Sequence, residues 1–363
     1  MTPDHPADFD DPDADLPLPE PLHYAEQALL GALLLEPDQL AGVPDLLPEH
    51  FANPSHSALF AAMRTLTPPI PEAHRASPVW LTAVLTAALI TAPGLDTPYL
   101  HTLINACPRP EHAPVYAQMI RAEDVRRTLR EHAVRLEQLA HDSTLPEPAA
   151  VVLEQADALG RFLDRAEPQW PRQPGPVPRA VPAAATRAPG EEDLDAERLL
   201  LAAGTARPED LASLVWLHPE DFGLPLHQGL YRCLTVMVRR GDPVDPITVL
   251  WKAQQHAVLN GTDPSQVLDF LSQPAGSAEH WAEHLYTRAL LTTAHTAGRE
   301  ITDLTHDPAH APHHLIPAAR RALAPLTRIR ARRRAPPTAA TPPVIAARRT
   351  PALTTSTPLR AIR

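Results

Sequence analysis

Apolar residues recur along this chain at three- and four-residue spacing, in runs separated by proline-containing breaks, which predicts helices. The first run, His23–Leu35, places Ala25, Leu29, Ala32 and Leu33 on one stripe. Pro37-Asp38 ends it and caps a short helix around Gln39–Leu47. Asn53-Pro54-Ser55 is a helix-start signal, and the helix that follows turns Leu59, Phe60 and Met63 inward. Residues 67–78, with Pro68, Pro69, Pro71 and Pro78, predict a loop. Val79–Ile90 and Thr97–Asn105 give two more helices. A long amphipathic helix then runs from about Ala113 to Ala140 and carries Tyr116, Ile120, Val125, Leu129, Leu136 and Leu139. After a break at His141-Asp142-Ser143, Pro148–Ala166 returns with Leu153, Ala156, Leu159, Phe162 and Leu163. A long helix followed by a shorter one predicts a helical hairpin with broad apolar faces to pair.

The same order of elements comes round again. At an offset of 171 positions, Glu26 falls on Glu197, Leu29-Leu30 on Leu200-Leu201 and Leu46 on Leu217. Pro48-Glu49-His50-Phe51 falls on Pro219-Glu220-Asp221-Phe222, and His56-x-x-Leu59-Phe60 on His227-x-x-Leu230-Tyr231. A repeat this long is a duplicated domain and not a solenoid unit, whose period is about 20–50 residues. The expected architecture is all-α, with two tandem helical-bundle domains that each end in a long hairpin. Residues 21–166 form the first domain and 191–330 the second. A Pro/Ala-rich linker, 167–190, joins them. The second domain is predicted as Ala196–Ala203, Asp210–Leu217, Leu226–Arg239, Pro246–Ala257, Ser265–Leu271, Ser277–Leu304 and about Leu315 to Ile329. Trp170, inside the linker, is expected to be loosely held.

Composition agrees with this class. Hydrophobic residues make up 44% of the chain but aromatic residues only 4%, too few for a β-rich fold. The 45 prolines belong at helix ends and in linkers, since a proline inside a helix removes a hydrogen bond. Residues 1–20 are acidic and residues 331–363 rich in arginine; both are expected to be disordered. Two cysteines give no disulfide framework. No apolar run is long enough to span a membrane, and the acidic start is unlike a signal peptide, so a cytoplasmic location is expected.

Ala25-Glu26-x-x-Leu29-Leu30-Gly31-Ala32-Leu33-Leu34 and Pro48-x-x-Phe51-x-x-x-x-His56-x-x-Leu59-Phe60 carry a resemblance, with Tyr116-Ala117-x-x-Ile120-x-x-x-x-x-Arg126-Arg127-x-Leu129 further on. Together they resemble the N-terminal domain of the bacterial replicative DNA helicase of the DnaB type. The second copy keeps Ala196-Glu197-x-x-Leu200-Leu201 and Pro219-Glu220-Asp221-Phe222-x-x-x-x-His227, and replaces the tyrosine of the long helix by Trp281. The resemblance implies a helical bundle plus hairpin that pairs through its hairpins and contacts primase and loader proteins. It also implies that the domain does not hydrolyse ATP. Expected partners are therefore a replicative helicase, a primase or a helicase loader. The hairpins would pair either with another subunit or with each other. Tyr116, Ile120, Leu129, Leu153, Leu159, Phe162, Trp281 and Leu285 are the candidate interface residues.

Candidate chemistry is sparse. A P-loop needs Gly-x-x-x-x-Gly-Lys-Ser/Thr, and the sole lysine, Lys252, follows no glycine-rich turn. No catalytic constellation, cofactor site or metal-ligand spacing is expected. That includes the histidines at 306, 310, 313 and 314, a segment interrupted by Pro308 and Pro312. Glu26 and Glu197 are expected in the first turn of their helices, where the helix dipole favours a carboxylate. His56 and His227 are expected to bond the loop before them. Arg328, Arg330, Arg332, Arg333 and Arg334, with Arg348-Arg349, form a basic tail that would bind nucleic-acid phosphates without reading sequence. Two further roles stay open: a regulator acting through that tail, and a helicase subunit whose motor is another polypeptide.

Overall fold

A computed structural model of the chain describes residues 20–77, 79–172, 174–175, 178, 190–273 and 275–334. Among these residues there are helices and no strands. The first copy comprises α1 (Pro21–Leu35), α2 (Pro54–Thr65), α3 (Pro71–Ala76), α4 (Val79–Ala88), α5 (Thr97–Asn105), α6 (Ala113–His141) and α7 (Pro148–Ala166). The second comprises α8 (Glu191–Ala206), α9 (Pro225–Arg240), α10 (Pro246–Gln255), α11 (Pro264–Leu271), α12 (Ala278–His306) and α13 (Pro312–Arg334). None is long and apolar enough to cross a membrane.

Most boundaries follow from local chemistry. Prolines occupy first-turn positions, where their missing N–H costs nothing. Carboxylates and an amide cap the exposed N–H groups: Asn53 accepts from Ser55 N at 2.8 Å, and Asp96 from Tyr99 N at 2.8 Å. Asp245 accepts from both Ile247 N and Thr248 N. Gly241, at φ 71°, ends α9 in the left-handed region that favours glycine.

Four expectations about elements are corrected. The segments around Gln39–Leu47 and Asp210–Leu217 are short 3₁₀ turns, Pro37–Gly42 and Pro208–Ser213, held too briefly for an α-helix. The proline-rich loop 67–78 contains α3, which begins on Pro71. Pro317 and Pro325 lie inside α13. Each forfeits one backbone bond, and burial of Leu315, Ile316, Ala319, Leu323 and Leu326 against the neighbouring helices offsets that loss, at about 1.5–3 kcal/mol per large side chain. The helix also runs through Arg332-Arg333-Arg334, so the first residues of the expected tail are ordered.

The buried core falls into two clusters. Residues from Leu29 to Ile120 form one buried cluster, the body of the first copy. From Leu129 onward, the rest of α6 and all of α7 join a second cluster with the whole of the second copy. The boundary between clusters thus falls inside α6 and not at the linker. Trp170 packs against this second cluster and is not loosely held.

Candidate functional site

The recurring glutamate and histidine meet in both copies. Glu26 is 1% exposed and lies in the second turn of α1, not the first. Its Oε2 is 2.6 Å from His56 Nδ1, and its Oε1 accepts from Ala52 N at 2.6 Å. Glu197, fully buried, repeats this with His227 Nδ1 at 2.6 Å and Gly223 N at 2.6 Å. An ionised carboxylate only accepts, so a carboxylate in that form calls for the histidine tautomer with its hydrogen on Nδ1. The histidines therefore bond across to α1 and α8, not to the loop before them. The physical reason is burial: a carboxylate away from water needs several donors, and a backbone N–H plus an imidazole supply them.

The copies then diverge. In the first, Tyr99 on α5 places its hydroxyl 2.7 Å from His56 Nε2. In the second, the ring against His227 is Phe270 of α11, with no hydroxyl to offer. Glu197 gains Arg288 of α12 instead, at 2.5 Å. Burial acts to raise the Glu197 carboxyl, but His227, Gly223 and the Arg288 charge together hold it below its ordinary value near 4.5. Arg288 also donates to the Asp221 carbonyl at 2.8 Å, as Arg127 does to the equivalent His50 carbonyl at 3.3 Å. A long-helix arginine thus ties down the repeated Pro-Glu-x-Phe turn in each copy.

A depressed carboxyl makes stability depend on pH. The contribution from Glu197 is complete above its ordinary value and is lost as pH falls through the lower folded value. Urea unfolding of wild type and Glu197→Gln should show a gap that is constant near neutrality and closes in acid below about pH 4. A gap that does not change down to pH 3 (about one unit lower) would refute that origin.

The two hairpins meet along an antiparallel seam. α6 and α12 each have 29 residues, and an offset of 165 superposes them, so Ala133 corresponds to Gly298. These two residues face each other: a Cβ on Gly298 would come 2.9 Å from the Ala133 carbonyl oxygen and 2.6 Å from Glu137 Cγ. A pseudo-twofold axis relating the two long helices therefore passes by this pair, and the glycine makes the close approach there possible.

Polar contacts fasten one end. Arg126 donates to four carbonyls at the C-terminal end of α12 and in the turn after it: Thr305 at 3.1 Å, Asp307 at 2.7 Å, Pro308 at 3.2 Å and His310 at 2.7 Å. Arg130 adds a bond to the Thr305 carbonyl at 2.7 Å, and Thr302 donates to Glu137 at 2.7 Å. A guanidinium at a helix C-terminus meets both the unsatisfied carbonyls and the negative end of the dipole. The other end is not a copy of this one, since Arg126 corresponds to Leu291. His141 and His295 form an edge-on ring pair there, with centroids 4.3 Å apart.

Of the candidate interface residues, Ile120, Leu129, Leu159 and Leu285 are fully buried within the chain. Ile120 packs in the first-copy body, the other three in the shared cluster. Tyr116, Leu153, Phe162 and Trp281 are half-buried, and Trp281 donates its indole N–H to the Ala275 carbonyl at 2.7 Å. Of the basic tail, Arg330 pairs with Asp157, Arg332 with Asp221 at 2.9 Å and Arg333 with Glu283. The Arg333 guanidinium also stacks 4.2 Å over the Trp216 ring. Arg328 and Arg334 are exposed, and Arg348 and Arg349 lie outside the described residues. No cluster of three or more metal-ligating side chains occurs among the described residues.

A family model described as the DnaB-like helicase N-terminal domain matches residues 19–122 and 190–287, both segments ending part-way along a long helix. The replicative DNA helicase DnaB of Geobacillus stearothermophilus is 33% identical over 138 residues, 37% of this chain and 28% of that protein. The replicative DNA helicase DnaB of Mycobacterium leprae is 31% identical over 140 residues, 37% of this chain and 22% of that protein. The similarity therefore covers less than a third of either relative's length.

Proposed function

The chain belongs to the DnaB-like helicase N-terminal domain family and carries that domain twice, and we propose that it serves DNA replication as a non-catalytic docking protein. Its two helicase N-terminal-like domains would bind or bridge a replicative helicase, a primase or a helicase loader. One observation carries this reading. The hairpin faces that would recruit a second subunit are closed on each other within one chain, along α6 and α12. Each body is left facing outward on a fixed pair, so two modest contacts with one assembly add as a bivalent interaction. ATP hydrolysis is assigned no place in this role, because the 363 residues contain no Gly-x-x-x-x-Gly-Lys-Ser/Thr sequence.

The purified chain should run as a 39.6 kDa monomer by light scattering. Mixed with the helicase, primase and loader of its own source, it should form a complex with at least one of them. Absence of any complex at micromolar concentrations would sink the proposal. So would a dimer held through the hairpins.

A further inference from the structure

The two copies place different side chains on the same outward helix face. Val84 and Ala88 of α4 are fully buried, and so are Val249 and Ala253 of α10, which sets the correspondence between these helices. By that register Ile247 and Trp251 stand where the first copy has Thr82 and Thr86. Both threonines are exposed, as a polar helix face requires. Ile247 is 69% exposed and Trp251 67%, although the first is wholly apolar and the second carries only its indole N–H on a large apolar ring.

The charged side chains of α10 and of α9, which packs against it, are all of one sign. α9 and α10 together contain Arg232, Arg239, Arg240 and Lys252 and not one Asp or Glu. The counterpart helices α2 and α4 contain Arg64 alone. Arg232 and Lys252 flank Cys233 closely enough that both charges draw its thiol down against the stronger upward effect of burial. Arg239 and Arg240 end α9 beside the turn into α10, about 12 Å along the helix from Arg232. The carboxylates nearest in sequence are Asp242, in the turn, and Asp245, whose Oδ1 is already bonded to two backbone N–H groups of α10. None of the four cations has an ion-pair partner among the described residues, whereas Arg330, Arg332 and Arg333 of α13 are all paired.

We propose that the α9–α10 face is a binding site for single-stranded nucleic acid, with Trp251 as the stacking platform and Arg232, Arg239, Arg240 and Lys252 as phosphate contacts. An exposed indole offers a flat ring to any base, which gives affinity without sequence reading. Unpaired cations on the same two helices would neutralise the backbone and release counterions. Ile247, one helical turn away, extends the apolar surface for a second base. This site is independent of the replication-partner reading and of the C-terminal arginines.

The test uses the full chain at low salt with labelled oligothymidylate and oligouridylate of about 16 nucleotides, followed by anisotropy. Trp251 is the one highly exposed tryptophan, since Trp80 and Trp216 are buried and Trp170 and Trp281 half-buried. Intrinsic fluorescence should therefore be quenched on binding. Trp251→Thr, which copies the first-copy side chain, should weaken binding about tenfold and remove the quench. Arg239→Glu with Arg240→Glu should weaken it further with the helix content unchanged. The log–log salt slope should approach about −3 for four phosphate contacts. Tighter binding of one oligonucleotide would identify DNA or RNA as the ligand. The proposal is overturned by no binding at low salt, or by binding that both variants leave intact. It is equally overturned if affinity disappears with residues 335–363, or if polyglutamate binds this face and neither oligonucleotide does.

Discussion

Replacing Glu197 by Ala should cost about 3–5 kcal/mol of folding stability, the loss expected when one member of a buried charge pair is removed. Glu197 is fully buried, and the Arg288 side chain is only 16% exposed. Removing the carboxylate leaves that guanidinium in poor contact with water, strips His227 Nδ1 of its acceptor and frees the Gly223 N–H. Arg288 keeps the Asp221 carbonyl at 2.8 Å, which places the expected loss toward the lower end of the range. The equivalent Glu26→Ala should cost less. It abandons no arginine, and His56 retains Tyr99 at 2.7 Å. Equilibrium urea unfolding of the two variants decides the matter. Equal losses, or a loss at Glu197 under about 1 kcal/mol, would mean that Arg288 contributes little.

Replacing Arg126 by Met should loosen the seam between the copies, at a cost of about 2–4 kcal/mol. Methionine keeps the apolar stem and removes every donor. The Pro308 and His310 carbonyls then have only water to turn to, while Asp307 retains the His310 N–H and Thr305 retains Arg130. Hydrogen exchange should rise in the last turns of α12 and in residues 307–311, with the first-copy body unaffected. An opened seam also exposes apolar surface on two hairpins. The variant should therefore show concentration-dependent dimers by light scattering, where the wild type keeps the pairing within one chain. Unchanged exchange at α12 would show that the apolar contacts around Ala133 and Gly298 suffice on their own.

Much of the fold was legible in local pattern. The bounds of α5 and α7 match the expected Thr97–Asn105 and Pro148–Ala166, because spacing of apolar residues and a proline at each start act over a few residues. The 3₁₀ turns were not legible, since Pro37–Gly42 has helical composition and is ended by packing beyond it. Nor were Pro317 and Pro325, which only the burial of α13 makes tolerable. The Glu–His pairs left one usable signal: the two residues recur thirty positions apart in both copies. Such a recurrence marks a contact, but Tyr99 and Arg288 have no recurring partner to reveal them. The unpaired cations of α9 and α10 look no different in sequence from the paired arginines of α13.

By itself the sequence determined a duplicated all-α chain that resembles the DnaB-type helicase N-terminal domain, because duplication, motifs and periodicity are properties of residue order. Only the tertiary structure decided what the hairpins pair with. The same apolar faces of α6 and α12 would satisfy a second subunit or the same chain, and burial rewards both alike. What selects the intrachain seam is the approach at Gly298, the fit of Arg126 to four carbonyls, and the raised local concentration of two linked hairpins. Those are relations between residues more than 160 positions apart, which no local pattern records.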